Sequence, residues 1–359
     1  MPDILLFGAT GYTGKLTARA LARRGASFAI AGRDRAKLEA LASVTGDPEV
    51  RVAAAGDVQA LTRAVEDVGV LITCVGPFVE LGKTAVEAAL RAKVHYIDSA
   101  GEGAFVGDLI GGYDARAREA GIVMAPAMGF DEVPADVAAT LSTRGMKDAE
   151  LYLTYSLNVA GSAGTIRSAL PIIASKGPWL EEHTPRPVGA GEEQRWAPMP
   201  PPLGPRPTVS FPFAEGHLAP LHLDLRSLRL YTTTGTAQRA AMRFGLPVLR
   251  SALGFGPTRK AIETFVSRLD EGPDEQARGK GFWTILAEAR SEETWRNVAI
   301  TGRDVYGLTA ELLTGAALKM VEPGYANVGV RSPVEAVGLD TLEKELGDHD
   351  VTIEVFGDN

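Results

Sequence analysis

Asp3-Ile4-Leu5-Leu6-Phe7-Gly8-Ala9-Thr10-Gly11-Tyr12-Thr13-Gly14-Lys15 is the stretch on which the reading of this chain turns. Four apolar residues run directly into three glycines spaced three apart, and helix-patterned sequence follows at once. The apolar run reads as a buried strand. Gly8 allows the tight turn out of it, and Gly11 and Gly14 let backbone amides come close to a ligand. The helix that begins there contributes a partial positive charge of about half a unit at its N-terminus. A pyrophosphate is the group such a turn is built to hold. A turn alone needs one glycine, so three at this spacing point to a dinucleotide, with Thr10, Tyr12 and Thr13 sharing the same loop.

The surrounding sequence repeats the pattern. Ile4–Phe7, Phe28–Ala31, Arg51–Ala54, Val70–Cys74, Tyr96–Asp98 and Ile122–Ala125 read as strands, each separated from the next by a helical stretch. Alternation of this kind predicts parallel strands joined by helical crossovers, with ligands bound beyond the strands' C-terminal ends. The expected fold class is therefore α/β, with a Rossmann domain on a parallel sheet over residues 1–142. From about Glu150 the texture changes to longer alternating runs: Leu151–Asn158, His222–Tyr231, and the pair Gly281–Arg290 and Glu293–Thr301, which reads as a hairpin. They predict a second α/β domain, residues 143–330, on a mostly antiparallel sheet.

Half of the chain's 22 prolines fall between Pro178 and Pro220. Proline lacks the N–H that helices and central strands need, so residues 178–220 read as an extended loop, either a surface connection or a flap over the substrate. Helical periodicity returns in Gly235–Arg250, Lys260–Leu269, Gly307–Val321 and Pro333–Leu346. The last has proline near its start and Gly347 just past its end.

Which dinucleotide is bound is decided at the end of the second strand. An enzyme using NAD places an acid there for the ribose 2′-hydroxyl, but this chain has Ala31-Gly32-Arg33-Asp34-Arg35-Ala36-Lys37. Arg33 can form a planar two-point contact with a 2′-phosphate, with Arg35 or Lys37 adding charge, whereas a carboxylate would repel it. NADP(H) is the cofactor expected. Arg33 also has a plainer reading as a solvated loop charge, with Asp34 as the cap of the next helix.

Three further strand ends supply candidates for the reactive side. Cys74-Val75-Gly76-Pro77-Phe78 and Ser99 are read as cofactor-binding with Gly129, while Glu102 and Asp131 are the catalytic candidates. Cys74 is also the kind of small residue that packs at a strand end, Asp131 the kind that caps a helix, and Glu102 the kind that orients its own loop. His95 and Tyr96 read as structural. The Tyr-x-x-x-Lys pair of short-chain dehydrogenases is absent, which disfavours alcohol–ketone chemistry by that route. Reduction of a conjugated C=C or of an iminium asks less of the protein: position the acceptor and stabilise developing charge.

Composition bounds the rest. One cysteine rules out an internal disulfide framework, and five scattered histidines offer no zinc spacing, so no metal is expected. A net charge of −8 disfavours nucleic acid as a partner. No apolar run approaches the roughly 20 residues of a membrane span, and the apolar start lacks a basic leader, so a cytoplasmic location is expected. The expected partner is a small-molecule or carrier-tethered substrate, with a homodimer through the second sheet.

The glycine loop, Ala31-Gly32-Arg33, Cys74-Val75-Gly76-Pro77-Phe78, Tyr96-Ile97-Asp98 with Gly101-Glu102, and Gly129-Phe130-Asp131 with Pro134 and Asp136 together resemble the saccharopine dehydrogenase-like family, which includes trans-acting enoyl reductases. Ser162-Ala163-Gly164-Thr165 and Ser332-Pro333-Val334-Glu335-Ala336, each opening a helix, extend the resemblance into the second half. It implies NADPH as donor, and residues 331–359 as a helix and strand returning to the first domain. Members of the family reduce either enoyl groups or imines. With no lysine–histidine pairing in view, enoyl reduction is the expected activity; imine reduction and a non-catalytic NADP(H)-binding sensor are the alternatives.

Overall fold

Ile4–Phe7 (β1) is buried at every position, as a strand covered on both faces must be. Its two neighbours in the sheet are parallel to it: Phe28–Gly32 (β2), with Ile4 opposite Phe28, and Val70–Thr73 (β4), with Ile4 opposite Val70. The computed structural model describes residues 1–130, 132–159, 161, 172–173, 175–235 and 272–357. Within these, the chain forms two compact units. The first comprises residues 1–101, 105–133 and 305–349; the second comprises the described residues of 102–104, 134–304 and 350–359.

In the first unit, Glu49–Val52 (β3), His95–Asp98 (β5), Val123–Ala125 (β6) and Gly329–Val330 (β15) complete a parallel sheet in the order β15-β6-β5-β4-β1-β2-β3. The helices Tyr12–Arg23 (α1), Arg35–Ala42 (α2), Val58–Val65 (α3), Phe78–Ala92 (α4) and Gly103–Ala120 (α5) make the crossovers. Strand order reverses between β1 and β4. At such a switch point the crossovers diverge to opposite faces and leave a crevice at the strands' C-terminal ends. The seventh strand was not anticipated: β15 is two residues long, pairs with β6 and donates the Val330 N–H to Asp114 Oδ1 at 2.8 Å. Helix α9 (Val305–Met320), buried on nearly every side, packs on α1 in the same unit.

The second unit holds Val133–Thr143 (α6) and a mixed, mostly antiparallel sheet ordered β10-β11-β12-β7-β13-β14-β16. Ala149–Asn158 (β7) runs parallel to Leu225–Thr233 (β12) and antiparallel to Phe282–Arg290 (β13). Strand β13 forms the anticipated hairpin with Trp295–Gly302 (β14), and Thr352–Gly357 (β16) adds to β14.

Three expectations need correction. Residues 178–220 are not an extended loop: they contain most of Lys176–Glu181 (β8), Thr184–Gly189 (β9), Gln194–Ala197 (β10), Arg206–Ser210 (β11) and the short helix Glu215–Leu218 (α7). Pro185 and Pro187 are tolerated because prolines two apart put their missing donors on one side, and β9 pairs on one side only, with β8. The boundaries also move. The division falls at Pro134 rather than 143, and the return to the first unit begins at Val305 rather than 331, because α9 carries an apolar surface that α1 buries. The expected helix Pro333–Leu346 is two helices, Pro333–Val337 (α10) and Leu339–Gly347 (α11), divided where Gly338 takes φ +89°, a value that breaks helical hydrogen bonding. The helices expected at Gly235–Arg250, at Lys260–Leu269 and after Ser162 lie outside the described residues, apart from Gly235. Helix α8 is Glu275–Lys280.

Candidate functional site

The turn from β1 into α1 is closed by its own glycines. Gly8 has φ +82°, and a Cβ there would lie 2.6 Å from Val75 Cγ2. A Cβ on Gly14 would lie 2.2 Å from the Gly8 carbonyl oxygen, so α1 can approach the loop only because position 14 has no side chain. Gly11 is the N-cap of α1. The N-cap has no side chain to close that end, and no acid stands in the first turn. These features fit a dinucleotide pyrophosphate, held by backbone N–H groups at the helix's positive end.

At the tip of β2, Thr10 Oγ1 lies 3.9 Å from where a Cβ on Gly32 would stand. Arg33 follows and is exposed, and it makes no ion pair among the described residues. Its neighbours are engaged: Asp34 caps α2 by accepting the Lys37 N–H at 3.2 Å, Lys37 Nζ lies 3.9 Å from Asp34, and Arg35 lies 3.6 Å from Glu39. Of these three basic residues, Arg33 alone makes no ion pair among the described residues, whereas Arg35 and Lys37 each face an acid on their own helix or cap.

Beyond β4, β5 and β6 the chain brings together Cys74, Ser99 and Gly129. The Cys74 thiol is held by the hydroxyls of Thr17 and Ser99, and burial pushes its pKa up to about 12. A thiol held so far above neutrality packs rather than attacks. A Cβ on Gly129 would lie 3.1 Å from Thr309 and 3.6 Å from Ser99 Cβ. Val75, Gly76 and Pro77 line the loop after β4, with Gly76 exposed. Phe78 turns away: it opens α4 with 5% of its surface exposed, and its ring lies 5.7 Å from that of Phe105.

Asp98 is fully buried at the end of β5 and organises the neighbouring loops. It accepts from Tyr96 Oη at 2.6 Å and from the Ala100 and Ala127 amides at 2.9 and 2.8 Å, while its carbonyl accepts the Met128 N–H at 2.7 Å. His95 and Tyr96 lie within β5. The His95 ring accepts the Val123 N–H at Nδ1, at 3.1 Å.

Two residues of the first unit that the sequence did not flag belong to this site. Tyr306 meets Tyr12 edge-on, with ring centroids 5.0 Å apart, and Thr309 Oγ1 accepts the Phe130 N–H at 3.0 Å. Both sit in the first turns of α9, and nothing local in the sequence connects that helix with the glycine loop. Of the two catalytic candidates, Asp131 lies outside the described residues. Glu102 is 1% exposed and belongs to the second unit, where its neighbour Gly103 packs on Phe213 and Ala214. The second unit also pairs His222 Nε2 with Asp136 Oδ1 at 2.7 Å. Asp136 stood in a quoted motif without a role, and His222 gave no signal. Among the described residues no group of His, Cys, Asp or Glu is placed to hold a metal, and no helix is long and apolar enough to cross a membrane.

The family model of the saccharopine dehydrogenase NADP binding domain matches residues 4–124. A Mycobacterium tuberculosis protein whose name includes the words trans-acting enoyl reductase is 33% identical over 186 residues, 48% of this chain and 44% of its own length. A further trans-acting enoyl reductase of that organism is 36% identical over 141 residues, 38% of this chain and 34% of its own. The chain thus matches less than half the length of these curated relatives. The apo saccharopine dehydrogenase (L-Glu forming) of Saccharomyces cerevisiae shares the fold across 100% of both chains, with a TM-score of 0.65 at 13% identity. Residues 4–124, which carry the glycine cradle at the β1/β4 switch point, are thus similar to the NADP binding domain of saccharopine dehydrogenase, and the chain shares that enzyme's fold.

Proposed function

We propose that the chain is an NADPH-dependent reductase of an activated C=C bond, acting on an enoyl group of a small or carrier-tethered intermediate. The observation that carries the reading is the uncapped N-terminus of α1 behind a loop whose glycines cannot bear side chains. When bound, NADPH supplies a hydride from its nicotinamide ring. The chain's own part is to bind and orient. The amides of Gly11–Gly14 hold the pyrophosphate, and Arg33 takes the 2′-phosphate in a two-point contact. Ser99 and Gly129, both small, leave room for the nicotinamide end, and Cys74 stays a neutral thiol. Glu102 and Asp131 are the acids assigned to orienting the acceptor.

The names of the two mycobacterial relatives favour the enoyl acceptor. A cytoplasmic location and a homodimer belong to the same reading. The test is to mix the purified chain with NADPH and a panel of enoyl thioesters and follow the nicotinamide absorbance. Consumption with enoyl acceptors is expected. Turnover of imines alone would replace the reading with C=N reduction, and NADPH binding with no turnover on any acceptor would replace it with a sensor.

A further inference from the structure

The loop that leaves β6, from Pro126 to Phe130, is held in place amide by amide. The Ala127 N–H donates to Asp98 Oδ1 at 2.8 Å, the Met128 N–H to the Asp98 carbonyl at 2.7 Å, and the Phe130 N–H to Thr309 Oγ1 at 3.0 Å. Thr309 in turn donates its hydroxyl to the Val305 carbonyl at 2.8 Å, which leaves its oxygen to accept. The Gly129 carbonyl is also used, accepting the Val133 N–H at 3.0 Å. Ala127 holds φ +60°, a left-handed conformation that a residue with a β-carbon adopts only where its surroundings impose it. One donor in this loop stands apart. Gly129 is buried, yet its N–H meets no acceptor among the described residues. Roughly nine in ten or more of buried backbone amides are paired, so a donor left over in a loop this firmly fixed is one built for a ligand.

Gly129 also stands at the end of a row that begins at the glycine cradle. A Cβ on Gly129 would lie 3.6 Å from Ser99 Cβ, the Ser99 hydroxyl holds the Cys74 thiol, and a Cβ on Gly8 would lie 3.2 Å from the Cys74 carbonyl carbon. The row follows the C-terminal ends of β6, β5, β4 and β1, all within the first unit. Three strand spacings separate its ends, on the order of 14 Å, a span that a ribose and a nicotinamide ring can cover from a pyrophosphate seated at the cradle. The polar group on that ring is a carboxamide, whose oxygen accepts hydrogen bonds. We propose that the Gly129 N–H binds the carboxamide oxygen of the nicotinamide, and that Thr309 is the positioning residue that holds this amide in place. The inference rests on the NADPH reading above. Asp98 fixes the two residues before Gly129 and Thr309 fixes the one after it, so the donor is set before the cofactor arrives. A bond at the carboxamide decides the rotation of the ring, and with it the face turned to the acceptor. Thr309 belongs to α9, so the returning segment supplies a residue to the cofactor site as well as cover for α1.

The test reads the amide itself in the full chain. Met128-Gly129 is the only Met-Gly step in the sequence, so isotope labelling of the methionine carbonyl carbon and the glycine nitrogen gives a single magnetic resonance signal for the Gly129 N–H. NADP⁺ should move that signal downfield, as an amide that gains a hydrogen bond moves, and an NADP⁺ analogue whose pyridine ring carries no carboxamide should not. Thr309→Val keeps the side chain's shape and removes the acceptor for Phe130. It should weaken NADP⁺ by about 3–10-fold in calorimetry and leave 2′-phospho-ADP-ribose, which lacks the nicotinamide, within about twofold; Thr309→Ser should bind both as the unaltered chain does. Equal losses for both ligands would make Thr309 a purely structural tie and overturn its assignment. If the Gly129 signal stays in place while calorimetry shows NADP⁺ bound, or moves as far with the carboxamide-free analogue, the donor assignment is overturned and the NADPH reading stands. If NADP⁺ does not bind at all, the NADPH reading falls and the inference with it.

Discussion

At the scale of single residues, the site separates positions that must lack a side chain from positions whose charge is uncommitted. Gly14 is the first kind. A methyl there would stand 2.2 Å from a backbone oxygen, so Gly14→Ala should abolish measurable NADPH binding by calorimetry while far-ultraviolet dichroism retains its helix and strand signal. Arg33 is the second kind. Arg33→Asp removes a charge-assisted contact worth about 1.5–3 kcal/mol and should weaken NADPH by roughly 10–100-fold. NADH affinity should change by no more than about threefold, since NADH carries no 2′-phosphate. Equal losses for both would sink the phosphate assignment. Gly8, Gly11 and Gly14 could be read from sequence because they share one continuous loop, and Arg33 because it stands directly after β2. Phe78 follows the loop after β4 and, as the first residue of α4, packs toward Phe105, a neighbour that local sequence does not disclose. Tyr306 and Thr309 were invisible for the opposite reason, since the Phe130–Thr309 bond spans 179 residues.

At the scale of elements, the parallel strands were legible as unbroken apolar runs, whereas the proline-bearing strands were not. Proline removes a donor, and only knowledge of which side a strand leaves unpaired says whether that donor was needed; for β9 it was not. Two helix–helix and strand–strand contacts yield tests. Helix α1 is tied to α9 and α11 by a charge cluster in which Arg23 and Arg24 meet Glu311 at 2.5 and 2.8 Å, and Arg24 meets Glu345 at 2.7 Å. Burial raises the Glu311 carboxyl pKa, but the bond from Arg23 and the charge of Arg24 outweigh it and leave it below the ordinary value. Glu311→Gln should cost about 2 kcal/mol, read as a fall of several degrees in Tm by calorimetry. His95 offers a pH test. Burial lowers its pKa, and its Nδ1 must stay unprotonated to accept the Val123 N–H. The folded pKa lies below the unfolded value, so His95 favours the fold fully above about pH 6.5, and this is lost as pH falls toward the folded value. Tm should therefore drop below that pH, and less steeply in His95→Gln. His217, also lowered by burial, keeps part of the slope in the variant. An unchanged slope would place the acid sensitivity elsewhere.

At the scale of the whole molecule, the chain passes between the two units at 101/102, 104/105, 133/134, 304/305 and 349/350. The sequence disclosed two fold textures but not this interleaving, because periodicity reports what each segment is and not which distant surface it covers. A fragment ending at residue 142, the boundary that local patterning suggests, lacks α9, α10, α11 and β15 and would leave the α9-facing side of α1 bare. Such a fragment should bind a hydrophobic dye and lose its sharp thermal transition. A fragment that melts cooperatively at the temperature of the intact chain would show that the returning segment is dispensable.

The two-residue strand β15 has a consequence for how the protein is made. About 200 residues separate Ala125 at the end of β6 from Gly329. A ribosome adding roughly 5–20 residues per second needs on the order of 10–40 s to traverse them. For that interval the β6 side of a nascent nucleotide sheet stays open to pairing with any passing strand, so newly born chains at high synthesis rates depend on chaperone cover until the last parallel strand arrives.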